Sequence, residues 1–173
     1  MHVMKMFDLT GKVALVTGGA GRYGRQIVEA LAEAGATVWT ASRTLEKNEE
    51  YAREMQEKGY EVYGDQYDQS NDESIHGLLE RILAKSGKVD ILVNNSALRC
   101  TKGFWSTEAN LNESFAANAT GLIMITRAFG DHMAQRGSGS IINIGSYMGD
   151  LGCNEALYEG CPHISSIGAA DYF

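Results

Sequence analysis

The chain has 173 residues, 44% of them hydrophobic and 21% charged, which are the proportions of an ordinary soluble protein. Its formal net charge of −7 disfavours a nucleic-acid partner, which would require a basic surface. No apolar run approaches the roughly 20 residues that span a bilayer, and the first residues lack the apolar core of a signal peptide, so we expect neither membrane insertion nor secretion.

Cysteine content bears on compartment and on metal binding. The three cysteines form an odd set without the spacing of metal ligands, and they are Cys100, Cys153 and Cys161. We therefore expect reduced thiols, a cytoplasmic protein and no bound metal.

Apolar runs and amphipathic helical patterns alternate along the chain. Short apolar runs predict buried strands at 12–17, 37–41, 61–67, 89–93 and 140–144. Periodic apolar residues between them predict helices at 25–34, 45–58, 71–85 and about 110–135. Gly35 and Gly59 should end the first two helices, and Asn71 should cap the third. The alternation predicts an α/β fold with a doubly wound, Rossmann-like parallel sheet, in a single domain over residues 1–173.

The last predicted helix carries a polar residue on its apolar face. That face is formed by Leu111, Phe115, Leu122, Ile125, Phe129 and Met133. Asn118 falls on the same face, so its burial would require hydrogen-bond partners. Ser146 follows the fifth predicted strand, at the end of the sheet where ligands bind in open α/β folds. Regular patterns cease after Ser146, as is typical of a functional loop.

A glycine-rich turn joins the first predicted strand to the first helix. It reads Thr17-Gly18-Gly19-Ala20-Gly21-Arg22-Tyr23-Gly24. The N-terminus of the following helix directs unpaired amides and the positive end of its dipole at whatever lies over the strand ends. The glycines let an anionic group approach the backbone. The turn therefore predicts a pyrophosphate site for a nicotinamide dinucleotide, with Thr17, Gly18, Arg22, Tyr23 and Gly24 as candidate cofactor-binding residues.

The end of the second strand bears on the choice of cofactor. NAD-binding proteins usually place an acidic residue there to bond the ribose 2′-hydroxyl. This chain instead reads Thr40-Ala41-Ser42-Arg43. Arg43 could pair with a 2′-phosphate through two hydrogen bonds, and Ser42 could donate another. The sequence therefore favours NADP over NAD.

These motifs, in this order, resemble those of the short-chain dehydrogenase/reductase family along nearly the whole chain. Thr17, Gly18 and Gly24 match the family's TGxxxGxG turn. Arg22 replaces the middle glycine of that motif, and it could reach a cofactor phosphate instead. The resemblance implies that Asp68 bonds the adenine ring.

Further matches to the family follow the fourth and fifth predicted strands. Asn94-Asn95-Ser96-Ala97 matches two of the four positions of the family's NNAG motif, which makes Asn95 a candidate cofactor-binding residue. The resemblance implies that Asn118 helps to hold a proton-relay water. It also implies that Ser146 is catalytic, positioning the substrate oxygen and stabilising developing charge.

The family's proton donor is a tyrosine, and a lysine four residues later lowers its pKa and binds the nicotinamide ribose. Tyr158 lies 12 residues after Ser146, close to the commonest family spacing, but Pro162 stands where the lysine should be. Tyr172 lies 26 residues after Ser146 and resembles the start of the family's YxxxK helix in a subgroup with a longer substrate loop. We favour Tyr172 as the catalytic tyrosine.

The choice of Tyr172 carries expectations about the whole protein. The chain would be the N-terminal part of a family member, incomplete on the C-terminal side, with the lysine at position 176. The fifth strand would then form a sheet edge, with its three isoleucines short of cover. We expect the 173-residue product to be poorly soluble or inactive alone. Homo-oligomers are usual in the family, but oligomeric state cannot be carried over to this chain.

The sequence thus predicts an NADP-dependent oxidoreductase that interconverts a secondary alcohol and a ketone in a small-molecule substrate. The family resemblance suggests a sugar acid, a polyol or a 3-oxoacyl thioester. Residues 98–105 and 148–167 should form the pocket, and substrate choice should lie in the second segment. The alternative hypothesis is a catalytically inactive nucleotide-binding module.

Overall fold

The computed structural model describes residues 2–101 and 105–146, without the side chain of Met4. Its strands are β1 (Val13–Thr17), β2 (Thr37–Ser42), β3 (Val62–Gln66), β4 (Ile91–Asn94) and β5 (Ser140–Asn143). They form one sheet in the order β3-β2-β1-β4-β5, and every neighbouring pair is parallel. The predicted doubly wound parallel sheet is confirmed. Its strand order reverses between β1 and β4, the kind of point at which open α/β sheets bind ligands.

Five α-helices accompany these strands in the part of the chain that the structure describes. They are α1 (Arg22–Glu33), α2 (Leu45–Glu57), α3 (Asp72–Ser86), α4 (Glu108–Phe115) and α5 (Leu122–Gln135), and a short 3₁₀ turn covers Val3–Met6. The α1 helix begins three residues earlier than predicted, because it starts directly from the glycine turn. Asn71 caps α3 as predicted, since its Oδ1 accepts a hydrogen bond from the Ser74 N–H at 2.8 Å. Among residues 2–101 and 105–146, no helix is both long and apolar enough to cross a bilayer.

The sheet separates two hydrophobic layers because successive side chains of each strand point to opposite faces. Val13 and Leu15 of β1 pack in the layer formed with α3 and α5, which contains the fully buried Phe129. Ala14 and Val16 of the same strand pack in the layer formed with α1 and α2. Every residue of β1 is therefore buried, as expected for a central strand covered on both faces.

The β5 strand lies at an edge of the described sheet. Ile142 is 45% exposed and Ile144 47%, whereas Ile141 packs against the layer of α3 and α5. The prediction of a poorly covered fifth strand stays a prediction for the whole protein, and within the described residues Ile141 does not fit it, since this side chain is partly buried.

The predicted helix over 110–135 is present as an unbroken helical run from Glu108 to Gln135, but the apolar face predicted for its first half is wrong. A π-helical segment, Ala116–Gly121, separates α4 from α5. A π turn adds a residue, so the buried face of α5 does not continue onto α4. Leu111 and Phe115, predicted to be inward, are consequently 37% and 43% exposed. Ile125, Phe129 and Met133 of α5 are buried as predicted.

A charged cluster holds the amino ends of the central strands together. Asp90 is buried, and its Oδ2 accepts a hydrogen bond from the Val13 N–H at 2.9 Å while its Oδ1 accepts one from Arg136 at 3.1 Å. Lys88 Nζ lies 3.1 Å from the same carboxylate. Burial opposes ionisation of Asp90, but these partners outweigh it and hold its pKa below the usual range. His132 of α5 accepts the Val89 N–H at Nε2, at 3.2 Å.

Candidate active site

The N-terminus of α1 opens at the carboxyl end of β1, next to the point where strand order reverses. Gly18, with a φ of +64°, turns the chain out of β1, and the Gly21 N–H donates to the Gly18 carbonyl at 2.9 Å. Gly21 is the N-cap of α1 and provides no side-chain hydrogen bond. By contrast, Asn71 caps α3 and Thr107 caps α4 with their side chains. The first-turn amides of α1 are therefore left for an anion.

Two glycines of the turn have no space for a side chain. A Cβ at Gly24 would overlap the Gly18 carbonyl oxygen and lie 2.6 Å from the Gly19 Cα. A Cβ at Gly19 would collide with Thr40 of β2 and lie 2.8 Å from the Val28 Cγ2. The turn thus lies tightly against both α1 and β2. The α1 N-terminus that this packing holds in place has no side-chain cap, and its amides fit a dinucleotide pyrophosphate.

Arg22 and Tyr23 occupy the first turn of α1 and are both exposed. The arginine that replaces the family's middle glycine therefore displaces no core packing. Its predicted contact with a cofactor phosphate stays a prediction, as does that of Tyr23.

Thr17 and Asn95 fasten the glycine turn to the end of β4. The Thr17 Oγ1 accepts hydrogen bonds from the Asn95 N–H at 2.9 Å and the Ser96 N–H at 3.0 Å. The Asn95 Nδ2 donates to the Thr17 carbonyl at 3.0 Å and to the Gly18 carbonyl at 3.3 Å. Both residues therefore fix the shape of the turn across the switch point. Their predicted contact with the cofactor itself stays a prediction.

A buried asparagine, Asn48, is hydrogen-bonded to the end of β2. The Ser42 Oγ donates to the Asn48 Oδ1 at 3.0 Å, and the Asn48 Nδ2 donates to the Asp65 carbonyl at 2.7 Å. The Ser42 proton is already engaged, so a donation to a 2′-phosphate would require Asn48 to release it. Arg43 is exposed, and its carbonyl accepts the Gln66 side-chain amide at 2.8 Å, which steadies the backbone beneath the guanidinium.

Asp68 follows β3 at the same edge of the sheet. Its Oδ1 accepts the Ser70 hydroxyl at 2.6 Å and the Ser70 N–H at 2.9 Å. The Ser70 hydroxyl does most to lower the pKa of Asp68, partial burial opposes this, and the Arg43 charge assists. Asp68 is therefore an anion near Arg43, at the end where the adenosine part of a dinucleotide would lie.

Asn118 lies buried in the π-helical segment and has partners, as its predicted burial required. Its Oδ1 accepts the Leu98 N–H at 2.7 Å, and its Nδ2 donates to the Leu98 carbonyl at 2.7 Å and to the Ser114 hydroxyl at 3.1 Å. Both amide protons are thus used, so only the oxygen atoms of Asn118 can receive a hydrogen bond from a water. Its predicted part in a proton relay is not tested by this geometry.

Ser146 lies at the carboxyl end of β5, level with the other candidate residues. The Ile144 N–H donates to the Asn94 carbonyl at 3.0 Å, which carries the pairing of β4 and β5 up to this point. Ser146, two residues further on, is exposed at the same edge of the sheet as Thr17 and Asn95. Tyr158 and Tyr172 lie outside the described residues, as does the predicted substrate segment 148–167.

The sequence did not reveal the buried side chains that are hydrogen-bonded near the carboxyl ends of the strands. Asn48, Tyr67 and Gln69 are buried. Asn48 binds the candidate residue Ser42, and Gln69 binds the segment that carries Asn118, while Tyr67 donates a hydrogen bond to Gln69. Gly121, one of two glycines inside the helix predicted over 110–135, was the available sign of a close backbone contact there. In the part of the chain that the structure describes, no group of three histidine, cysteine, aspartate or glutamate side chains could hold a metal ion.

Comparison with known proteins agrees with this arrangement of turn and strand ends. The family model for short chain dehydrogenases matches residues 12–158. The chain therefore belongs to the short-chain dehydrogenase/reductase family, a family of oxidoreductases whose fold binds nicotinamide cofactors.

Two curated relatives illustrate the range of the family. The chain is 28% identical over 165 residues to a 5-keto-D-gluconate 5-reductase of Escherichia coli (strain K12), covering 95% of the chain and 63% of the relative. It is 34% identical over 146 residues to a 3-oxoacyl-[acyl-carrier-protein] reductase of Aquifex aeolicus (strain VF5), covering 83% of the chain and 59% of the relative. The chain thus spans about three fifths of the length of these relatives.

Solved structures share the fold closely. A xylitol dehydrogenase with bound NAD+ superposes with a TM-score of 0.79 and 26% identity, covering 84% of this chain and 56% of that one. An actinorhodin polyketide ketoreductase variant with NADPH superposes with a TM-score of 0.77 and 31% identity, covering 83% and 56%. Similar structures thus include complexes of both nicotinamide cofactors.

Proposed function

We propose that this protein is an NADP-dependent oxidoreductase that interconverts a secondary alcohol and a ketone. The observation that carries the proposal is the uncapped N-terminus of α1 at the switch point of the sheet, beside Arg43 at the end of the neighbouring strand. The N-terminus of α1 favours an anionic pyrophosphate, and the Arg43 guanidinium favours a second phosphate.

The preference for NADP rests on the charge at the end of β2. No acidic residue stands between Thr40 and Arg43, so nothing there would accept the two hydroxyls of an unphosphorylated ribose in the usual way. The Arg43 guanidinium is exposed, and the Gln66 amide holds its main chain. A 2′-phosphate could therefore form a bidentate pair with it.

The remaining candidate residues define the chemistry. When bound, a nicotinamide supplies or accepts the hydride at the substrate carbon. Ser146 would hold the substrate oxygen, and Tyr172 would exchange the proton with that oxygen. Asn118 would hold the water that connects this proton to solvent. Such proton transfer is needed because a hydride alone leaves an alkoxide on the substrate.

The substrate class is a small molecule with a ketone or a secondary alcohol. The curated relatives include a 5-keto-D-gluconate reductase and a 3-oxoacyl reductase, and both names describe a ketone. We therefore infer a sugar acid, a polyol or a 3-oxoacyl compound as the substrate. A cytoplasmic location is part of the same proposal.

Cofactor titration of an Arg43→Ala variant tests the proposal. The variant should bind NADPH roughly 10- to 100-fold more weakly, since hydrogen bonds to a charged group contribute about 1.5–3 kcal/mol. Affinity for NADH should be unchanged. The matched control is Arg53→Ala, which removes an exposed arginine of α2 and should leave both affinities unchanged. Equal affinity of the unmodified chain for the two cofactors would contradict the choice of NADP.

Turnover separates the proposal from its alternative, a nucleotide-binding module without catalysis. The test uses a protein that extends through the YxxxK lysine expected at position 176. Oxidation of NADPH by a 3-oxoacyl ester or a keto sugar acid supports the enzyme. Binding of NADPH without oxidation by either class supports the binding module.

A further inference from the structure

Two buried side chains beneath the candidate site form a continuous line of hydrogen bonds. The Tyr67 hydroxyl donates to the Gln69 Oε1 at 2.7 Å, and the Gln69 Nε2 donates to the Ala117 carbonyl at 2.8 Å. Tyr67 is buried, and Gln69 is only 8% exposed. Because neither side chain can be satisfied by bulk water, each depends on its partner in this line.

The far end of this line lies in the π-helical segment. Ala117 belongs to that segment, where the added residue disturbs the regular pairing of helix amides and carbonyls. The same Gln69 also meets the segment at Gly121, where an added Cβ would overlap the Gln69 carbonyl oxygen. Gln69 therefore contacts both the start and the end of the π-helical segment, once through its side chain and once through its main chain.

The near end of the line lies beside the glycine turn. The Ser96 and Thr17 hydroxyls oppose the rise in the pKa of Tyr67, and Thr17 is the last residue of β1. Burial dominates the pKa of Tyr67 and raises it to about 12, so the phenol keeps its proton. The hydrogen-bonded line therefore runs from Tyr67 through Gln69 to Ala117.

Asn118 follows Ala117 directly, so the hydrogen bond from Gln69 to the Ala117 carbonyl also fixes the position of Asn118. Its side chain holds both polar groups of the Leu98 backbone, just after the end of β4. A shift of the π-helical segment would move Asn118 and release Leu98. The position of the loop after β4 thus depends on the hydrogen bond between Gln69 and the Ala117 carbonyl.

We propose that Gln69 is a positioning residue, which fixes the π-helical segment so that Asn118 holds the Leu98 loop in line with the glycine turn. This inference rests on the proposed function, because the role of Asn118 in proton transfer is part of that proposal. The side-chain hydrogen-bond partners of Gln69 are Tyr67 and Ala117, so Gln69 acts on Asn118 through the backbone of its neighbour.

The test compares Gln69→Leu with Gln56→Leu in the isotopically labelled 173-residue chain. Gln56 is a matched control, because its Nε2 also donates to a backbone carbonyl, that of Val62 at 2.6 Å, but far from the site. In Gln69→Leu, we expect hydrogen exchange of the Leu98 amide to accelerate at least about tenfold relative to core amides such as that of Ile82, and the Asn118 side-chain amide signals to shift. In Gln56→Leu, both should match the unmodified chain.

Tyr67→Phe is the second variant, and it keeps the test decisive if Gln69→Leu does not fold. It removes one support of Gln69 while leaving the Gln69 side chain in place, so the same two signals should move in the same direction by less. Unchanged Leu98 and Asn118 signals in a folded variant, or equal loss of protection at Leu98 and Ile82, would overturn the inference. Failure of the unmodified chain to bind NADPH would overturn the proposed function instead, since exchange at Leu98 is measured without cofactor.

Discussion

The two ends of the sheet use their polar groups in opposite ways. At the amino ends, Asp90 is paired with Val13, Lys88 and Arg136, so a buried charge binds one strand to another and to α5. At the carboxyl ends, the first-turn amides of α1 have no side-chain cap, and the Arg43 side chain is exposed.

This difference separates stability from function within one sheet. Arg136 also donates to the Val89 carbonyl at 3.0 Å, so the amino end directs its charges inward. The carboxyl end has its own internal bonds, but those of Thr17 and Asn95 shape the turn without covering it. Changes at the amino end should therefore alter folding, and changes at the carboxyl end should alter cofactor binding.

The largest effect is expected at the amino end. Asp90→Ala leaves Arg136, Lys88 and the Val13 N–H without their shared acceptor. We expect the free energy of unfolding to fall by about 2–4 kcal/mol, below the upper range for a buried pair because the cations are partly exposed. Urea denaturation measures this, and Asp131→Ala on the exposed face of α5 is the control. NADPH affinity of the folded variant should not change; a selective loss of affinity would break the division between the two ends.

A change at the carboxyl end should lower cofactor affinity, which Asp90→Ala leaves unchanged. Gly24→Ala forces a methyl group against the Gly18 carbonyl and displaces the turn. NADPH affinity should fall roughly 10- to 100-fold, as expected when at least one hydrogen bond to the phosphate is lost. Stability should fall by about 1–3 kcal/mol through overpacking.

Gly77→Ala is the matched control for Gly24→Ala. Gly77 also lies inside a helix, but its added Cβ would meet only the flexible end of Arg81, at 3.2 Å. We expect slight stabilisation, about 0.5–1 kcal/mol, and unchanged NADPH affinity, both measured as for Gly24→Ala. Similar affinities for NADPH in the two variants would show that the turn is not the binding site.

The smallest effect is a pH dependence from His132 at the amino end. Burial and the Arg136 charge lower the pKa of His132 below its ordinary 6.5, and its Nε2 must stay unprotonated to accept the Val89 N–H. Below about pH 6.5 the unfolded chain binds a proton that the folded chain resists. Stability is thus fully present above this pH and falls as the pH drops toward the lower folded value, by at most about 1.4 kcal/mol per pH unit.

His132→Gln checks this assignment. Glutamine can place an acceptor near the position of Nε2 and does not titrate. The urea midpoint of the variant should change less between about pH 7.5 and pH 5.5 than that of the unmodified chain. An equal change in both proteins would assign the pH dependence to other groups.

Much of this architecture could be predicted from local patterns. The apolar runs of β1 and β2, the end of α1 before Gly35 and the cap at Asn71 depend on neighbouring residues, and they lie within a few residues of their predicted places. The glycine turn was also recognisable, because a strand before it and a helix after it give its glycines their meaning.

The rest depended on contacts between distant parts of the chain. One added residue in the π-helical segment changes which side of α4 is buried, and helical periodicity alone does not reveal such an insertion. The partners of Ser42 and Ala117, which are Asn48 and Gln69, come from other elements. No spacing rule joins these residues, so only the folded structure brings them into view.

The most direct test is to titrate the isotopically labelled chain with NADPH and to record the shifts of its backbone amide signals. The account predicts that the largest shifts fall on Arg22, Tyr23, Gly24 and Arg43, while the signals of Val89 and Asp90 stay in place. Shifts centred on the amino ends of the strands, or no shift at any amide of the glycine turn, would contradict it.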